Sequence, residues 1–193
     1  MYAHKLSSPS FTNSFTAAYA CIGCEAKFDG AIVERPLRDC AQEMRSAQGF
    51  YHQRKFAEAA RVFEHILRTY EKGKQIHATY FLVYSVYAPL VNCYRRMDQL
   101  PQSAAMLRSI LDILDTNPAI AEHHPEKADF LWNLGQTYQM LYERSNDRTP
   151  KSAKMRYRQD AREAYSKAAA IRTVCFGADD ASTAEALKAM NSV

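Results

Sequence analysis

A register of small and large apolar residues that returns after 44 positions constrains this chain more than any other feature. Ala47, Phe50, Phe56, Ala59, Phe63 and Ile66 align with Val91, Tyr94, Leu100, Ser103, Leu107 and Ile110, small for small and large for large apart from Val91. Gly135 and Tyr138 open a third copy at the same offset, and its second half, Ala161, Tyr165 and Ala168, arrives 14 residues late. Spacings of three, four and seven put the apolar side chains of each half on one helical face. Each copy therefore reads as an antiparallel helix pair. A small residue at 47, 91 or 135 lets the facing helix approach, the one at 59, 103 or 161 does the same in return, and the aromatics fill the space beside them. Such a pair cannot bury its stripe alone and must stack on a neighbour.

Composition agrees. Only 6 glycines and 7 prolines occur in 193 residues, which disfavours turn-dense β architectures and predicts an all-α fold. The expected helices span roughly 36–53, 55–71, 75–97, 100–115, 122–144, 150–175 and 182–190. Pro36, Pro125 and Thr149-Pro150 are placed to start helices, Gly73 to end one, and Ser182 with Glu185 to form a capping box. Pro89 falls inside the third helix and predicts a kink, or else a helix that ends near Ser85 and restarts. The 14 extra residues are expected to lengthen both helices of the third pair. The longest apolar stretch, 78–91, is too short to span a bilayer. The first twenty residues hold no apolar run of signal-peptide length, and five cysteines form an odd set without a disulfide framework. These features place the chain in the cytoplasm or the nucleus, with residues 1–30 as a flexible segment and 31–193 as the repeat domain.

Leu131-Leu134-Gly135-Tyr138 and Ala161-Tyr165-Ala168 resemble the tetratricopeptide consensus, as do Ala47-Phe50-Phe56-Ala59-Phe63. The resemblance implies a right-handed superhelix of three tetratricopeptide-like helix pairs plus a short C-terminal helix. The long period, together with the stretch from Cys175 to Thr183, resembles the repeats of kinesin light chains and of the C-terminal domain of the SET-and-MYND (SMYD) lysine methyltransferases. Tyr19-Ala20-Cys21-Ile22-Gly23-Cys24 looks like the end of the post-SET zinc segment that precedes that domain, although Tyr19 stands where the family has its first cysteine. No Asn-His-Ser-Cys stretch, Gly-x-Gly cofactor loop or MYND cysteine-histidine cluster occurs, so the family's methyl-transfer site has nothing to map onto.

Catalytic residues and cofactors are therefore not expected. Cys21 and Cys24 are spaced to bind one Zn²⁺ through a tight turn, but a closed site needs four ligands, and only Cys40 suggests itself as a third. Cys93 and Cys175 read as small core side chains. His123-His124-Pro125-Glu126 suggests a turn and cap rather than a metal cluster, because adjacent histidines do not share a helix face. Gln48, Asn92 and Gln136 recur with the repeat period, and the resemblance implies that they face a concave groove, where side-chain amides hydrogen-bond the backbone of an extended peptide. Arg96, Trp132 and Asn133 match neighbouring groove positions, Trp132 as an anchor. Lysines that clamp a terminal carboxylate in chaperone-binding repeats are missing: Met44, Ala88 and Trp132 stand there.

Charge is local. Arg148, Lys151, Lys154, Arg156, Arg158 and Arg162 face a single acid, Asp160, in fifteen residues, and the rest of the chain is close to neutral. A basic run of this kind meets an acidic partner or nucleic acid when it is more than a solvated face, and without a chain-wide basic footprint nucleic acid is the less expected of the two. The reading that results is a non-catalytic module that holds an extended protein segment. The alternative is a piece of a SET-and-MYND methyltransferase.

Overall fold

The computed structural model describes residues 3–5, 18–21, 27–78, 81–146 and 148–193. Seven helices follow one another among them: α1 (Gly30–His52), α2 (Phe56–Ile66, continued by a π-helical turn over Leu67–Lys72), α3 (Phe81–Arg96), α4 (Leu100–Thr116), α5 (Pro125–Glu143), α6 (Lys151–Phe176) and α7 (Ala181–Ser192). The fold is a series of tetratricopeptide-like helix pairs. The chain divides into two compact units, Met1–Val86 and Tyr87–Val193, with the boundary inside α3.

Every small residue of the 44-residue register is buried: Ala47, Ala59, Ser103 and Ala161 are fully enclosed, and Val91 and Gly135 nearly so. The register also appears in the backbone. Arg54 and Asp98, 44 positions apart, both adopt the left-handed conformation, at φ 60° and 62°. After each of them the chain closes a turn in the same way, Lys55 N–H donating to Phe50 O at 3.0 Å and Gln99 N–H to Tyr94 O at 2.8 Å. One turn geometry thus serves both pairs.

In the first unit α1 packs on α2. Tyr70, buried on the π-helical turn, donates its hydroxyl to Glu43 Oε1 at 3.0 Å. Burial, then this bond, pushes its pKa above the usual tyrosine value. In the second unit α5 packs on α4 and α6, and α6 on α7. The core joins Leu107, Leu134, Tyr138, Ala164 and Tyr165, with Val193 closing one side.

Several expectations need correction. Ahead of the helices the composition predicts no strand, whereas β1 (Ala3–Lys5), β2 (Ala18–Cys21) and β3 (Lys27–Asp29) form an antiparallel sheet with Ala3 opposite Cys21 and Ala18 opposite Asp29. Stretches of three or four residues carry too little alternation by which to find them. β3 runs directly into α1, which begins at Gly30 rather than Pro36. Proline at the seventh helical position is tolerated because the carbonyl it cannot bond belongs to Ile32, an exposed residue. α3 starts at Phe81 instead of 75, because the chain after Gly73 turns back: Lys74 has φ 55°, and Gln75 and Ile76 both donate to Tyr70 O. α3 then runs unbroken through Pro89, which removes the reading of a stop at Ser85. The extra residues of the third pair lie mostly in α6, 26 residues against 17 in α4, while α5 has 19 against 16 in α3.

Caps also shift. Pro150, not Thr149, stands at the N-cap position of α6 and supplies no side-chain bond there, while Thr149 Oγ1 accepts from Asn146 N–H at 3.3 Å. Asp180, not Ser182, caps α7, because its carboxylate reaches two amides, Ser182 N–H at 2.9 Å and Thr183 N–H at 3.4 Å. A charged acceptor at a helix N-terminus is also favoured by the helix dipole. Hydrogen bonds from Ser182 hold the Asp180 carboxyl below its ordinary pKa. His124 caps α5 as its sequence context suggests, Nδ1 accepting from Glu126 N–H at 3.3 Å with Pro125 next in line.

Candidate functional site

Asn92, Arg96, Trp132 and Gln136, four of the six residues expected to share a groove, line one cavity of about 770 Å³ in the second unit. Asn92 and Arg96 come from one face of α3, one helical turn apart, and Trp132 and Gln136 are likewise one turn apart on α5, with Gln136 at the repeat position of Asn92. α7 supplies the opposite wall through Glu185, Lys188 and Ala189. Gln48 lies on α1 in the other unit and is exposed.

The sixth expected residue, Asn133, does not line the cavity but is held by one that sequence reasoning missed. Arg95 donates Nη1 to Asn133 Oδ1 at 3.0 Å and Nη2 to Asn133 O and Gln136 Oε1, both at 3.3 Å. It thereby ties α3 to α5. Burial lowers the Arg95 pKa below its usual value, and its Nε is enclosed without a partner. A signal was available: Arg95-Arg96 follow the amide position of their repeat, and successive residues of a helix point about 100° apart, so the two do not share one direction.

Gln136 therefore presents its NH₂ to the groove, its carbonyl oxygen being taken. Asn92 is exposed. Gln139 is committed at both ends, accepting the Tyr165 hydroxyl at 2.7 Å and donating to Glu143 at 2.8 Å. Of the cations, Arg96 and Lys188 make no ion pair among the described residues.

The floor of the groove is aromatic. Trp132 lies on Tyr165 with ring centroids 5.0 Å apart, and the Arg172 guanidinium sits 5.1 Å from the Trp132 ring centroid. Arg172 is buried; it bonds Ser182 O at 2.9 Å and Asp129 Oδ1 at 3.2 Å, fastening α6 to both α7 and α5. Tyr165 can reach this position because residue 135 is glycine: a Cβ there would stand 2.6 Å from two of its ring carbons. Burial, then Glu143, pushes the Tyr165 pKa up to about 12, so the phenol remains a neutral donor.

Of the metal-ligand expectations, Cys21 belongs to β2 and Cys24 lies outside the described residues. Cys40 is fully buried in α1. Burial raises its pKa to about 11, as it does for the equally buried Cys93. Cys175, expected in the core, is half-exposed and donates Sγ–H to His123 O at 2.9 Å. No cluster of His, Cys, Asp or Glu spaced for a metal occurs among the described residues.

The basic run is spread along the N-terminal half of α6. Lys154 stands 5.3 Å from the Tyr142 ring centroid, Arg156 pairs with Asp160 at 3.8 Å, and Arg158 donates Nε to Val193 O at 2.9 Å. Arg148 and Lys151 are exposed. No helix among the described residues is long and apolar enough to cross a membrane.

No protein-family model and no curated protein matches the chain. Solved structures do. One is a Podospora anserina protein described as a kinesin light chain with nearly identical TPR-like repeats, at TM-score 0.55 and 15% identity over 81% of this chain and 68% of that one. Another is BtubC (BKLC) from P. vanneervenii, at TM-score 0.52 and 17% identity over 83% of this chain and 66% of that one. The chain spans about two thirds of the length of each. At these identities the likeness establishes the tetratricopeptide-like fold and nothing finer.

Proposed function

We propose that this protein is a non-catalytic interaction module that binds an extended segment of a partner protein along the α3–α5–α7 groove. The observation that carries the reading is the convergence of Asn92, Arg96, Trp132 and Gln136, picked out by repeat position, on one cavity. Asn92 and the free NH₂ of Gln136 bond the backbone of the segment, which suits a ligand recognised by extension rather than by one sequence. Trp132 and Tyr165 offer apolar contact, held in place by Gly135 and Arg172. Arg96 and Lys188 select against cationic segments. Arg95 positions Gln136 without touching the ligand.

Selection of peptides from a displayed random library on the purified protein tests this directly. Enriched peptides are expected to bind wild-type protein and to lose about fivefold or more in affinity on Asn92→Ala or Arg96→Ala, both exposed positions. Enriched peptides indifferent to both substitutions, or no enrichment, would refute it.

A further inference from the structure

We propose that a cleft between the N-terminal half of α6 and the end of α7 is a second docking surface, shaped for an acidic amphipathic helix of a partner protein. The cleft has a volume of about 730 Å³. Ser152, Met155, Arg158, Arg162 and Ser166 form one stripe along α6, and Met190 faces it from α7. Fourteen residues of helix give that stripe a length of about 21 Å.

Its charge is unspent. Glu163, the one carboxylate lining the cleft, is paired with Lys167 at 2.7 Å, and Asp160 beside it is paired with Arg156. Arg162 is exposed and makes no ion pair among the described residues, and Arg158 donates through Nε alone, to O of Val193, so that its two terminal nitrogens stay without a partner. No carboxylate side chain among the described residues pairs with either arginine. Lys151 and Lys154 even stand in the first turn of α6, which holds no acid and where the helix dipole disfavours cations.

Spacing and side-chain type identify the occupant. Arg158 and Arg162 are four residues apart, about 6 Å along the axis, which matches carboxylates at i and i+4 of a helix laid alongside. Guanidinium groups pair with carboxylates bidentately. Met155, 58% exposed, and Met190 supply adaptable apolar walls for the same helix's non-polar residues. Nucleic acid fits less well, because no aromatic ring lines the cleft to stack a base.

The test is fluorescence anisotropy on the full chain with a labelled synthetic helix of about 18 residues, carrying Glu at i and i+4 beside Leu, and a labelled oligothymidylate of about 20 nucleotides as counter-probe. The peptide is expected to bind, to weaken severalfold between about 50 and 300 mM salt, and to lose about tenfold in affinity on Arg162→Glu or, independently, Met155→Glu. Neither exposed substitution should move the melting temperature, and Asn92→Ala in the groove should leave this binding unchanged. Absence of peptide binding, indifference to both cleft substitutions, loss on Asn92→Ala, or tighter binding of the oligonucleotide than of the peptide would each overturn the proposal.

Discussion

Replacing Gly135 by alanine sets two opposing effects against each other, and the structure decides which wins. In a helix interior the change gains up to about 1 kcal/mol. At 135, however, the new methyl would meet Tyr165 Cδ1 and Cε1 at 2.6 Å and Cγ at 3.0 Å. The ring cannot swing aside, since Tyr165 is 1% exposed, lies on Trp132 and is tethered through its hydroxyl to Gln139. Overpacking of this kind costs about 1–3 kcal/mol, and dislodging the hydroxyl adds about 1 kcal/mol. Gly135→Ala should therefore destabilise by about 1–3 kcal/mol. Gly49 is the internal control: it is helical too, but an added Cβ there meets nothing within 4 Å, so Gly49→Ala should stabilise by about 0.5–1 kcal/mol. Urea unfolding followed by circular dichroism reads both. In a Tyr165→Leu background, with the ring removed, Gly135→Ala should lose most of its cost. A stabilising Gly135→Ala, or a cost unchanged without the ring, would refute the reasoning.

Arg54→Gly should stabilise by about 0.5–1 kcal/mol in the same assay, because arginine there holds a left-handed conformation that costs L-residues about 1–2 kcal/mol and glycine recovers only part of that through its freer unfolded chain. Arg172→Met should destabilise by about 2 kcal/mol and speed amide exchange in α7, since the charge-assisted bonds to Ser182 and Asp129 both vanish. The lowered Asp180 pKa means that its cap contributes in full above the unfolded carboxylate value and is lost as pH falls through the folded one; α7 amide protection should drop with acid over that window, and Asp180→Asn should flatten the dependence. Alkylation at about pH 8 should label Cys175 well before Cys40 or Cys93, whose thiols stay protonated up to about pH 11; equal labelling would contradict their burial.

Helix pairing was legible because it depends on side-chain volume at fixed intervals, which a sequence displays directly. Ala47, Val91 and Gly135 are where the register puts them, in contact with a facing helix. Ends were less legible because neighbouring residues compete for the same amides: Asp180 outbids Ser182, and Tyr70 O draws Gln75 and Ile76 out of the helix expected to begin there. The strands among residues 3–29 are three or four residues long, too short to display an alternating pattern. In the groove, repeat position was enough to find Asn92, Arg96, Trp132 and Gln136. It could not show that Asn133 and the oxygen of Gln136 are consumed by Arg95, since which of two adjacent arginines turns inward depends on the packing of α5 against α3.

The matching bends at Arg54 and Asp98 have a consequence for which pieces of the chain can be exchanged. Two joints closed by the same hydrogen bond, separated by one period, make the bend itself a transferable part, so residues 53–55 put in place of 97–99 should rebuild the same corner without a change in the helices that flank it.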